Sequence, residues 1–185
     1  ASSVVLDTTY KEYLFTFNNI HAGTDDTGLT FNVSIDGGTN YNVAKTTTFY
    51  RATHGEDGSS GAIAYFTGAD LAQGTGSQFI GGDISGANDS SMCGEMFLFD
   101  PSNTSFVKQI IVQCVDMDNG DFAVWGAAGT GYANTTSAVN AVQFTMSSGS
   151  IASGKIIQCV TKIAEGLVDI TKPDVLVDSA IWNPK

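Results

Sequence analysis

Arginine is almost missing from this chain, with Arg51 as the single example in 185 residues. Lysine and arginine together number eight against nineteen acids, for a formal charge of −11. Affinity for nucleic acid rests largely on cations that displace counterions from phosphates, and bidentate phosphate contacts need arginine. An acidic chain so poor in arginine is not expected to bind nucleic acid or an anionic membrane surface. Long apolar runs are also lacking. The longest, such as Ile110-Ile111-Val112, fall far short of the ~20 residues that span a bilayer. No basic stretch followed by an apolar run opens the chain, so no uncleaved secretory signal is expected. Cysteine is scarce and odd in number: Cys93, Cys114 and Cys159 form no CxxC pair. That count and spacing argue against a disulfide framework and against a zinc site. The Cys114 and Cys159 contexts, Ile-Ile-Val-Gln-Cys-Val and Ile-Ile-Gln-Cys-Val, read instead as strands with small buried thiols and as folding in a reducing compartment.

Helical periodicity is absent as well. No window of twelve or more residues places apolar side chains at i, i+3, i+4 and i+7 between caps, and residues 69–73 suffice for one turn at most. What the chain does have is a 42% apolar fraction with 10% aromatics, enough for a sizeable core. Its length suits one domain, or one domain with a trailing arm. Charged residues make up only 15%, so the polar surface is mostly Ser, Thr, Asn and Gly. Such a neutral, hydroxyl-rich coat is common on all-β extracellular and virion proteins.

The period is two nearly throughout. In Leu29-Thr30-Phe31-Asn32-Val33-Ser34-Ile35 every odd position is apolar, which predicts a half-buried strand with one wet face. Asp36-Gly37-Gly38 then predicts a tight turn, with a second strand resuming at Tyr41-Asn42-Val43. Further strands are expected at 13–17, 48–51, 62–66, 96–99, 106–115, 122–125, 142–146 and 155–163. The fold class is therefore all-β: an antiparallel β-sandwich or jelly roll of about nine or ten strands. Two segments, 68–91 and 126–137, read as long loops. Residues 1–163 form the predicted domain. After that, Pro173 and Pro184 and the apolar anchors Val175, Leu176, Val177, Ile181 and Trp182 read either as an extended docking arm over 164–185 or as a last edge strand.

Few constellations carry chemistry. Residues 149–155 match G-x-x-x-x-G-K, but Ile156 stands where a P-loop needs Ser or Thr, and β-branched residues follow where it needs a helix. The segment reads as a hairpin, and no nucleotide or other cofactor is expected. Asp116, Asp118 and Asp121 resemble an acidic calcium loop, yet Gly120 sits at the fifth position rather than the sixth, so a β-turn is the simpler reading. Asp25-Asp26 and Glu56-Asp57 read as solvated loop acids. His21 and His54 are the only histidines, and neither lies in a catalytic motif. Paired carboxylates meeting in space remain the one enzymatic option, and none is pointed to by sequence context. Exposed aromatics stack on sugar rings, and Tyr132, Trp125 and Tyr41 are the candidates near expected loops, with core packing as the alternative fate.

Three stretches carry a resemblance. They are Tyr10-Lys11-Glu12-Tyr13-Leu14-Phe15-Thr16-Phe17-Asn18-Asn19-Ile20, the strand 29–35 with Asp36-Gly37-Gly38 and Tyr41, and Ser147-Ser148-Gly149-Ser150-Ile151-Ala152-Ser153-Gly154. Together they resemble a β-sandwich module of tailed-bacteriophage virion proteins over roughly residues 10–163. The family's final strand tends to end in Tyr-Gly, where this chain has Cys159-Val160-Thr161. The resemblance implies a non-enzymatic part of the virion's outer surface, folded in the host bacterial cytoplasm and commonly trimeric. It implies as partners either the major capsid protein, for a head-decorating (cement) protein, or tail proteins and a host glycan, for a tail-fibre module. The matched motifs are turns, so no catalytic residue follows from them.

Overall fold

The computed structural model describes residues 2–59, 61–117 and 123–161. Twelve strands run through them: Ser2–Val5 (β1), Glu12–Ala22 (β2), Thr27–Ser34 (β3), Lys45–Gly55 (β4), Ala62–Tyr65 (β5), Ala72–Gly74 (β6), Gln78–Ile84 (β7), Met92–Phe99 (β8), Lys108–Met117 (β9), Ala123–Ala133 (β10), Ala141–Met146 (β11) and Ile151–Thr161 (β12). The one helical element among the described residues is a single 3-10 turn at Thr67–Ala69. The fold is an all-β sandwich. A small sheet has the order β1-β11-β3-β7, and a large one the order β12-β2-β8-β9-β10-β4-β5, with β6 also on β4.

The pairing is nested. β1 pairs with β11, β2 with β8, β3 with β7 and β4 with β5, all antiparallel. One long hairpin wrapped so that successive strands alternate between two sheets yields this pattern, which is that of a jelly roll. The β9–β10 hairpin is an addition lying between β8 and β4, and β12 extends the large sheet beyond β2.

The core follows from the period-two pattern. On β2, Tyr13, Phe15 and Phe17 point inward and are all but fully buried. Phe144 of the opposite sheet meets Phe15 and Phe17 edge-on, with ring centroids 5.2 and 5.3 Å apart. Each such ring contributes about 1.5–3 kcal/mol by burial, and edge-to-face contact adds about 0.5–1.5 kcal/mol. Two lysines are also buried, Lys45 on β4 and Lys108 on β9, each directly opposite Ala133 of β10. Lys45 donates to the Asn32 side-chain oxygen at 2.6 Å and to the Val43 carbonyl at 2.9 Å. Lys108 donates to the carbonyls of Phe106 and Thr135.

Several expectations need correction. Twelve strands replace nine or ten, because β1 and the two strands within 68–91 are added while none forms at 41–43. Segment 68–91 holds β6 and β7, and β7 buries Ile80 and Ile84; segment 126–137 is largely β10, paired along its length with β4 and β9. Strand β3 alternates as expected but has no wet face, since all eight residues are buried. Its polar members are satisfied locally: the Thr30 hydroxyl donates to the Thr145 carbonyl, and the Asn32 amide to the Thr75 carbonyl. Residues 36–38 do turn, with Gly37 and Gly38 at φ of 72° and 87°. No strand follows at 41–43, however, because the chain is crossing to the other sheet before β4 begins. The 149–155 segment closes no hairpin within one sheet either, because the chain crosses from β11 to β12 over 147–150 and residues 151–155 already belong to β12. The arm over 164–185, with Val175, Leu176, Val177, Ile181 and Trp182, lies outside the described residues.

Candidate functional site

The outer face of the large sheet carries two of the molecule's surface depressions. Alternation sends Phe49, Val112 and Ala127 inward and leaves their neighbours outside. Cross-strand register then aligns those neighbours in rungs. Glu95, Gln113, Ala128, Tyr50 and Tyr65 lie on one rung across β8, β9, β10, β4 and β5. The next rung is Cys93, Val115, Gly126, Ala52 and Ile63. On the other side come Phe97, Ile111, Thr130 and Thr48, then Gln109, Tyr132 and Thr46.

The β10 column is low because Gly126 and Ala128 have little or no side chain. A trough results. One depression of about 630 Å³ has Tyr50, Glu95, Gln113, Val115, Gly126 and Ala128 among its walls and floor. A second, of about 500 Å³, adjoins it along β10 and is lined by Thr46, Thr48, Phe99, Gln109, Thr130 and Tyr132, among others. Both depressions are shallow and open to solvent rather than enclosed. Aromatic surface flanks both. Tyr50 is 50% exposed and Tyr65 61%, while Phe97 and Phe99 stack at 5.9 Å with ring planes 6° apart. The trough is nearly free of charge: among the described residues Glu95 is the only acidic or basic one lining either depression, and its carboxyl group accepts a hydrogen bond from the Gln113 amide.

The aromatics singled out from sequence separate. Tyr132 lines the trough, as a glycan contact would require. Trp125 does not, because it is an odd number of residues away on the same strand and faces the other side. There the Arg51 guanidinium lies 3.9 Å from the Trp125 ring centroid and 4.6 Å from that of Phe66, and Arg51 also pairs with Asp83 at 3.2 Å. Tyr41 sits in the crossing between β3 and β4, its hydroxyl close over Gly38. Tyr50, Gln113, Glu95 and Gly126 were missed; they come from the successive strands β8, β9 and β10 and from the remote β4, and strand register brings them together.

Asp116 is not a turn acid but a buried member of β9, 3% exposed, beside Cys114. Burial, with Asp116 close by, pushes the Cys114 thiol well above its usual range. Asp118 and Asp121 lie outside the described residues. Among the described residues no group of three or more His, Cys, Asp or Glu side chains is placed to hold a metal ion. Cys93, Cys114 and Cys159 are free thiols on three different strands. The His21 ring contacts the Ser90 carbonyl at 2.9 Å, and His54 projects from β4 beside Val124. Asp25 and Asp57 both accept backbone N–H bonds, from Gly86 and Ser59, and the bonds from Ser59 hold the Asp57 carboxyl below its usual range. No protein-family model, curated protein or solved structure matches this chain.

Proposed function

We propose that the chain is a non-enzymatic structural protein of a bacteriophage particle, displayed on its outer surface as a capsid-decorating (cement) protein. The observation that carries the reading is a jelly-roll sandwich whose large sheet has a broad, nearly uncharged outer face. The acidic, hydroxyl-rich coat keeps such a domain away from packaged nucleic acid, and three free thiols suit folding in the host cytoplasm. Attachment to the major capsid protein is assigned to the apolar anchors of 164–185. Association as a homotrimer would cover sheet edges such as β5, all four of whose residues are exposed.

A tail-fibre or tail-tip role is the second reading, and the trough favours it, since a receptor-binding module needs a recessed and accessible surface. Immunogold electron microscopy on tailed-phage particles whose genome encodes the chain separates the two. Label over the heads supports decoration. Label at one end of the tail moves the assignment to host recognition, and no label on any particle refutes both. For the decoration role, deleting 164–185 is expected to leave a folded sandwich, since all the described strands lie within 2–161, and to weaken attachment. Undiminished attachment would refute the part given to the arm.

A further inference from the structure

We infer that the trough on the outer face of the large sheet binds a neutral, hexopyranose-containing glycan. The inference does not depend on the virion role, because it rests on the chemistry of the lining alone. A ligand there meets rings first. Tyr50 on one wall and Tyr132 further along present aromatic surface over a floor lowered by Gly126 and Ala128. The axial C–H groups of a pyranose pack on such rings while its hydroxyls stay at the edge, where amphipathic Tyr is suited to meet both.

The polar groups then decide between ligand classes. Gln113, Gln109, Thr48 and Thr130 supply amides and hydroxyls that both donate and accept. An apolar helix or acyl chain laid over them would strip their water and return no hydrogen bonds, at a cost for each group. Sugar hydroxyls replace that water in kind. An anionic ligand is disfavoured twice, since among the described residues no Lys, Arg or His lines either depression and the chain carries −11 overall. Stacked bases would suit the tyrosines, but their phosphates would find no cation. A neutral sugar is the class that leaves nothing unpaired.

The test is a glycan array carrying neutral hexose oligosaccharides beside their sialylated and sulfated counterparts, probed with the labelled full-length chain. Binding is expected to neutral spots, with affinity lowered at least tenfold in Tyr50→Ala and in Tyr132→Ala. Gly126→Trp is the sharper variant. A side chain there enters open space, with nothing within 4 Å of the added Cβ, so it fills the trough without displacing the sheet. It is expected to abolish binding with the melting temperature kept. Trp125→Phe, altered on the opposite face, is expected to bind as the parent does. Absence of binding to every neutral glycan overturns the inference, as does preference for anionic glycans or full binding by a folded Gly126→Trp. Should that variant fail to fold, the two tyrosine variants decide. A chain that labels particles but binds no neutral glycan loses this inference and keeps its virion role, and the converse result separates them equally well.

Discussion

Lys45 is a buried cation whose hydrogen-bond acceptors, the Asn32 amide oxygen and the Val43 carbonyl, are both neutral. Desolvation accordingly pulls its pKa down from 10.5 to about 8. Between those values the unfolded chain binds a proton that the folded protein lacks, so this residue makes stability rise with pH. Below pH 8 the cost of the buried charge is present in full; by pH 10.5 it is relieved. The difference between 10.5 and 8, at 1.36 kcal/mol per unit, puts the effect at no more than about 3 kcal/mol. Other groups titrate nearby. The raised Cys114 and Tyr13 act in the opposite direction, since the unfolded chain releases their protons first, while the lowered Lys108 acts with Lys45. Comparison with Lys45→Met removes these shared contributions. At pH 7 the variant sheds the desolvation cost but leaves two acceptors short of a donor, at about 1–3 kcal/mol for each group left unsatisfied, so the net change is small. Urea unfolding at steps from pH 7 to 10.5 should then show Lys45→Met losing about 3 kcal/mol relative to the parent across the window. Two parallel profiles would refute the account of Lys45 as a desolvated ammonium.

Phe144→Ala should cost about 3–5 kcal/mol in urea unfolding, because the ring is fully buried between Phe15 and Phe17 and links the sheets; a loss below about 1 kcal/mol would mean that the sheets are held together elsewhere. Gly131→Ala should destabilise by more than about 1 kcal/mol, since its Cβ would collide with the Thr46 carbonyl oxygen across the strand pair; unchanged thermal unfolding would contradict the close approach of β10 and β4. Arg51→Lys should lower stability by about 1 kcal/mol and alter tryptophan emission, because lysine cannot lie flat between the Trp125 and Phe66 rings while reaching Asp83; identical emission and unfolding would refute that stacking.

Where a strand buries one face only, the sequence was legible. Tyr13, Phe15 and Phe17 alternate with Leu14 and Thr16, and β2 forms with that polarity. Where glycine served packing instead of turning, it was not. Ala123–Ala133 carries three glycines, and from residue 126 onward it reads as loop, yet two of them are there because neighbours press close: Gly129 against the Phe49 ring, Gly131 against the Thr46 carbonyl. Alternation in β3 predicted a wet face, since nothing local tells that Lys45 will reach across to Asn32. The site was legible only in Tyr132. Its rung partners Gln109 and Thr46 stand 23 and 86 residues away in sequence, and only the inserted hairpin sets them side by side.

That hairpin explains where the trough lies. A jelly roll of the four nested pairs alone would set β8 beside β4; inserting β9 and β10 widens the sheet by roughly 10 Å and supplies the trough's floor. Gly129 and Gly131 face inward and answer to packing, whereas Gly126 faces outward over open space with no positive φ. Nothing in the fold asks for glycine there, and a strand interior disfavours it by about 0.5–1 kcal/mol relative to alanine. Gly126→Thr should therefore raise stability by about that amount in urea unfolding while lowering glycan binding, the opposition expected when a residue is kept for a surface rather than for the fold. A stability loss in Gly126→Thr would assign the glycine to folding and remove this support for the trough as a site; a gain in stability together with unchanged binding would place the ligand elsewhere on the face.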